Sequence, residues 1–130
     1  MEIEKEIRDA RARLRALIRA CLGVATEDGD FWTVFIAFWG ETLRDPELAG
    51  LNARTYEKAR RWIAALVGRG ISEGVFRRVD VRPASIAILA VLDGVALQLT
   101  FDKTLLSPRA AERLCEDTLL RYLSSDGGDR

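Results

Sequence analysis

Five of the chain's ten aromatic residues crowd into nine positions: Phe31, Trp32, Phe35, Phe38 and Trp39. On a helix this spacing gives two adjoining stripes, Phe31/Phe35/Phe38/Thr42 and Trp32/Ile36/Trp39/Leu43, wider together than one core contact requires. Aromatic walls with a few polar groups suit an apolar ligand cavity, although the same stripes also serve as ordinary core or interface. The second chemically unusual residue is Asp93, set in the apolar run from Ile86 to Leu97. A carboxylate in such surroundings is costly unless it is paired. Its first reading is a structural pairing with an Arg or a hydroxyl across an interface, and its second is contact with a cationic or hydrogen-bonding ligand. Gly94 beside it is expected to permit close helix approach.

Other chemistry is excluded by residue type. The chain has no His, which removes every imidazole-based triad and every His-containing zinc or haem site. Cys21 and Cys115 stand 94 positions apart in apolar helical stripes and read as small buried hydrophobes, not as a redox motif or thiolate cluster. Gly68, Gly70 and Gly74 form no phosphate-binding loop, and Glu27, Asp28 and Asp30 read as solvated or capping residues. No catalytic constellation, metal site or cofactor is expected, so the chain does not read as an enzyme.

At 130 residues the chain is one domain's worth, long enough for a core without disulfides or metals. Its 20 basic and 20 acidic side chains balance overall and within each half, with no basic face for nucleic acid. Sparse cysteine and the absence of a signal-peptide pattern point to the cytoplasm.

The elements that position these groups are helical throughout. Ile3, Ile7, Ala10, Leu14, Leu17 and Cys21 mark a first amphipathic helix ending near Leu22, and Gly23 to Gly29 reads as a polar connection. Asp30 is the expected cap of a second helix, Phe31 to Arg44. Asp45-Pro46-Glu47 starts a third, which reaches about Gly74 with its apolar side at Leu48, Leu51, Thr55, Ala59, Trp62, Leu66 and Ile71, and with a bend or early end near Arg69. After a connector at Phe76 to Val79, Asp80 and Pro83 open a fourth helix reaching about Lys103. It is apolar nearly all round, but its short run and its Asp93, Gln98 and Asp102 favour a buried helix over a membrane span. Ser107-Pro108 opens a fifth, with Ala111, Leu114, Cys115, Thr118, Leu119 and Tyr122 as its seam. Residues 124–130 read as a disordered tail following a domain of residues 1–123. The expected fold is all-α, with five helices.

Four segments in order, Trp32 to Trp39, Arg44 to Leu48, Arg69 to Arg77 and Ala84 to Leu97 with its Leu92-Asp-Gly-Val95 centre, give the chain a family resemblance. Over roughly Phe31 to Tyr122 it resembles the C-terminal regulatory domain of TetR-type transcriptional repressors, in particular the BetI-like branch. The first helix agrees in kind only. The resemblance implies a homodimer joined by a four-helix bundle of the last two helices, a ligand cavity enclosed by the preceding ones, and coupling of that cavity to release of operator DNA. Where the family carries an N-terminal helix-turn-helix, these 130 residues show none, so no operator binding is expected of the chain alone.

If helices one to four enclose such a cavity, its lining is expected to draw on Trp32, Phe35 and Trp39 of the second helix, Trp62 of the third, and Asp93, Leu97 and Phe101 of the fourth. Val95, Leu114, Thr118, Leu119 and Tyr122 fall at the dimer interface. The expected effector is a small hydrophobic or aromatic molecule, with an organic cation ranked second through cation–π attraction and the Asp93 carboxylate. The competing reading is a helical homodimeric interaction module that holds no small molecule.

Overall fold

The structure, a computed structural model, describes residues 9–27 and 29–124, and side chains except those of residues 24–30. The described residues form five helices and no strand: α1 (Ala10–Glu27), α2 (Gly29–Arg44), α3 (Pro46–Ser72), α4 (Val81–Phe101) and α5 (Pro108–Leu123). The expected turns at residues 1–8, the Asp30 side-chain cap and the tail beyond Ser124 lie outside what is described.

Helix starts follow the caps in the sequence. Asp45 Oδ1 accepts from the amides of Glu47 and Leu48 at 3.0 and 3.4 Å, with Pro46 in the first turn, where its missing N–H leaves no bond unmade. Asp80 accepts from the amide of Arg82, and Ser107 Oγ from that of Ala110 at 3.1 Å. Helix ends are less legible. α1 runs through Gly23 to Glu27 and does not stop near Leu22. A helical glycine costs about 1 kcal/mol relative to alanine, and packing of α1 against all four other helices overrides it.

α3, 27 residues and about 40 Å long, shows no early end at Arg69 and closes at Ser72. Gly68 and Gly70 stay helical. A β-carbon on Gly70 would fall on the ring of Phe76, which is 4% exposed, so this glycine makes room for the returning connector. The amides of Val75 and Phe76 both reach the Gly70 carbonyl, and Gly74 makes the reversal at φ +76°. Gly94 differs from expectation: no atom outside its own helix lies within 4 Å of where its β-carbon would stand.

The core is built from four-residue ladders. Ala10, Leu14, Ile18 and Leu22 of α1 face Ala84, Ile88, Leu92 and Ala96 of α4 and Ala111, Cys115, Leu119 and Leu123 of α5 in one buried cluster, joined by Ile63, Leu66 and Val67 of α3. This repeat keeps one row of side chains on each helix against its neighbours. Among the described residues α4 alone is long and apolar enough to cross a membrane, but it contacts every other helix. Only 33% of its most apolar window is buried within the single chain.

Candidate functional site

α2 rises opposite α1, α3 and α4 and turns members of both aromatic stripes inward. Trp32 is 7% exposed, Phe35, Ile36 and Trp39 pack half-buried on the core, and Thr42 is buried. Phe31, Val34, Phe38 and Leu43 face outward. The inward face is therefore Trp32/Phe35/Ile36/Trp39/Thr42, which belongs to neither stripe alone. Its rings meet edge to face: Trp32 and Phe35 at 5.6 Å and 81°, Phe35 and Trp39 at 5.3 Å and 64°, Trp32 and Trp39 at 6.4 Å and 89°. Edge-to-face contacts place the positive rim of one ring on the negative face of the next and hold the set rigid. Thr42 donates its hydroxyl to the Trp39 carbonyl at 2.8 Å. The indole Nε1 atoms of Trp32 and Trp39 are buried without a hydrogen-bond partner among the described residues.

Asp93 is half-buried on α4, and its partner is a residue that the sequence did not single out. Tyr56 of α3 donates its hydroxyl to Asp93 Oδ2 at 2.8 Å, so the expected pairing with a hydroxyl is met. Burial pushes the Asp93 carboxyl above its ordinary value of 3.8, and the Tyr56 hydrogen bond offsets part of the rise. Burial, together with the same contact, raises the Tyr56 phenol. Cys21 of α1 is half-buried within electrostatic reach of Asp93; burial chiefly, and then that carboxylate, raise its thiol. Burial also raises Cys115, to about 11, with a smaller effect from Cys21. Both thiols are free, and at neutral pH they are protonated and poor nucleophiles, as small core residues would be.

The remaining expected ligand residues do not join this group. Leu97 is half-buried on α4, but Trp62 is 53% exposed and Phe101 73% exposed. At 100° per residue, the buried row Ile63/Leu66/Val67/Gly70 centres about 90° away from Trp62, which places the indole at the rim of α3. Phe101 ends α4, one half-turn beyond Leu99, the last buried residue. Nearby, Glu57 gathers Arg60, Arg61 and Arg82 at 3.1, 3.6 and 3.0 Å, pinning α3 to the start of α4. Hydrogen bonds from Arg82 and Arg60 hold the Glu57 carboxyl below its usual value.

The expected interface residues also separate. Leu114 is 48% exposed and Thr118 is exposed, whereas Leu119 is 2% exposed and belongs to its own subunit's core, on the ladder through Cys115 and Leu123. Val95 and Tyr122 are half-buried against that core. The Tyr122 ring carries the Arg77 guanidinium at 5.0 Å, and its carbonyl accepts from Arg77 Nε at 2.6 Å, which ties the connector to the end of α5. A shallow, open groove of about 620 Å³ runs along the outer face of α5 past Ala110, Arg113, Leu114, Glu116, Asp117 and Leu120.

The family model of the C-terminal domain of BetI-type transcriptional repressors matches residues 10–124. The HTH-type transcriptional regulator BetI of Paraburkholderia phymatum is 30% identical over 107 residues, covering 82% of this chain and 52% of that regulator. BetI of Burkholderia lata is 25% identical over 119 residues, covering 92% of this chain and 59% of its own. The chain thus spans between half and three fifths of these curated relatives. Among solved structures, a transcriptional regulator from Saccharomonospora viridis in complex with choline superposes with TM-score 0.81 at 23% identity, over 95% of this chain and 67% of that one. A transcriptional regulator from Pseudomonas aeruginosa gives TM-score 0.76 at 25% identity, over 87% and 56%. The all-α fold is that of TetR-family regulators, and the chain belongs to the family of BetI-type transcriptional repressor C-terminal domains.

Proposed function

We propose that this chain is the effector-sensing and dimerising domain of a TetR-family regulator, and that its effector is a small organic cation. The observation that carries the reading is Asp93: a half-buried carboxylate held by Tyr56, in the same α1–α4 core against which the aromatic face of α2 packs. Aromatic faces attract an ammonium ion through their quadrupoles, and a desolvated carboxylate supplies the counter-charge. The choline bound in the Saccharomonospora regulator of like fold supports the same ligand class. This reverses the order drawn from sequence, where a neutral hydrophobic or aromatic molecule came first, because Asp93 keeps a second carboxyl oxygen after Oδ2 pairs with Tyr56.

Dimerisation through α4 and α5 is supported by apolar side chains that α4 leaves exposed or half-buried within one chain, Ile86 and Val95 among them, and by the exposed Leu114 and Thr118 beside the α5 groove. An isologous four-helix interface would cover both faces. In a full-length regulator of this family, ligand binding would alter the spacing of the two DNA-reading heads in the cytoplasm; no catalytic role is proposed. Calorimetric titration of choline into the chain tests the reading. Saturable binding that Asp93→Asn abolishes is expected. Heats of dilution alone, for choline and for other small ammonium ions, would leave a helical dimer that binds only protein.

A further inference from the structure

The charge that balances over the whole chain does not balance along α3. Between Leu51 and Arg69 this helix carries the cations Arg54, Lys58, Arg60, Arg61 and Arg69 and a single acid, Glu57. Glu57 is held by Arg60 and Arg82 at 3.1 and 3.0 Å, which leaves Arg61 at 3.6 Å with its side chain 80% exposed. Arg69 pairs with Glu73. Arg54 and Lys58 are exposed, and among the described residues no carboxylate pairs with either. Arg54, Lys58 and Arg61 follow one another at the four- and three-residue spacing that brings like charges together on a helix and weakens it. Folding of the domain does not require that arrangement. Leu51 and Trp62 bracket the cations, 52% and 53% exposed. At about 100° and 1.5 Å per residue, Leu51, Lys58 and Trp62 fall within about 40° of one another, and the two apolar side chains stand about 17 Å apart along the axis. Among the described residues no guanidinium or other ring stacks on Trp62.

We infer that this outer face of α3 is a docking surface for an acidic segment of another protein, one that carries aspartate or glutamate side chains between large apolar ones. Charge complementarity selects the sign of the occupant: adjacent cations that share one carboxylate favour a partner bringing anions. Leu51 and Trp62 select its class. A nucleic acid supplies phosphates and can stack a base on Trp62, but its sugars and phosphates give Leu51 no apolar contact. A bilayer is flat and meets only the crest of a single helix, whereas a polypeptide lies along the ridge and reaches both apolar ends. Arg54, Lys58 and Arg61 are about 6 and 4.5 Å apart along the axis, which matches carboxylates on successive turns of a second helix. Alternate residues of an extended strand, about 6.7 Å apart, fit nearly as well. Tryptophan and arginine are also the side chains that most often dominate binding energy at protein interfaces. The face belongs to neither of the helices proposed for dimerisation, so a dimer would present two such surfaces.

The test is selection of a displayed random-peptide library on the whole chain, followed by fluorescence-anisotropy titration of the most enriched peptide. Enriched peptides are expected to carry acidic residues flanked by apolar ones, and their affinity to fall about tenfold as salt rises from about 0.05 M to about 0.5 M. Trp62→Ala and Lys58→Glu should each weaken binding about tenfold. Both side chains are exposed, so both variants should keep the parent's helicity. Lys58→Glu should melt at an equal or higher temperature, because a glutamate there lies one turn from Arg54 and from Arg61. Loss of binding beside equal or better stability marks a surface contact, a result that damage to the fold does not give. Enriched peptides without acids, binding that neither substitution changes, or no enrichment over an unrelated protein would overturn the inference. Tighter binding of phosphatidylglycerol vesicles or of single-stranded DNA, lost in the same two variants, would overturn it as well and reassign the face to anionic lipid or to nucleic acid.

Discussion

Tyr56 and Asp93, 37 residues apart, meet across the α3–α4 seam with the phenol donating to Oδ2 at 2.8 Å. The carboxyl is nonetheless above its ordinary value of 3.8, because burial outweighs the hydrogen bond. A group whose folded value is raised binds its proton more readily in the folded state. Its favourable contribution is complete below the unfolded value and is lost as pH rises through the folded one. Asp93→Asn should therefore stabilise the ligand-free protein at pH 7 relative to the parent, with the advantage fading as pH falls toward 3.8. Urea melts of both proteins at several pH values measure it. A difference that does not change with pH would count against the stated cause.

Tyr56→Phe leaves the carboxylate half-buried without its donor. The expected cost is about 1 to 3 kcal/mol at neutral pH, falling at acid pH as Asp93 is protonated. Thermal melts at pH 7 and pH 4 should show the gap narrowing. An unchanged melting temperature at pH 7 would mean that solvent already satisfies Asp93.

Gly70 is required by contact and not by backbone conformation. Any β-carbon there strikes the ring of Phe76, whose backbone N–H donates a hydrogen bond to the Gly70 carbonyl. Gly70→Ala should cost about 1 to 3 kcal/mol despite alanine's better helix propensity. Gly94→Ala, with open space at the same atom, should be neutral or mildly stabilising. The pair is a direct check by chemical denaturation, and equal effects at the two sites would contradict the packing described.

Leu114 and Leu119 separate the proposed dimerisation from folding. Leu114 stands 48% exposed on the α5 groove, and Leu119 lies 2% exposed in the core. Leu114→Arg should yield a folded monomer in sedimentation velocity with near-parent helicity. Leu119→Arg should unfold the domain, since it places a charge among Cys115 and Leu123. A Leu114→Arg protein that remains dimeric would move the interface elsewhere.

The elements were legible in the sequence where short-range chemistry decides them. Asp45-Pro46, Asp80 and Ser107-Pro108 act through atoms two or three residues away, and all three caps appear as expected. The end of α1 was not legible, because packing against distant helices decides whether Gly23 stays helical. Asp93 was recognisable as out of place, but its partner Tyr56 was not, since nothing local marks one tyrosine as facing another helix. Trp62 lies at the rim of α3 and Leu119 in the core, positions the sequence did not distinguish, for a related reason. Periodicity gives a broad apolar side, and a single residue's offset of 100° separates core from rim.

The exposed indole of Trp62 supplies an internal control for ligand binding. At 53% exposure it already reports on water, whereas Trp32 and Trp39 emit from the interior. If the effector lies against the inward face of α2, Trp62→Phe should lower total emission, remove its red-shifted component and leave the choline-induced change intact. Trp39→Phe should remove most of that change. Acrylamide quenching sharpens the comparison: in the parent protein the accessible fraction should be dominated by Trp62 and be insensitive to ligand. A choline response that disappears with Trp62→Phe and persists in Trp39→Phe would place the ligand on the outer surface of α3. That result would detach it from Asp93 and the aromatic face altogether.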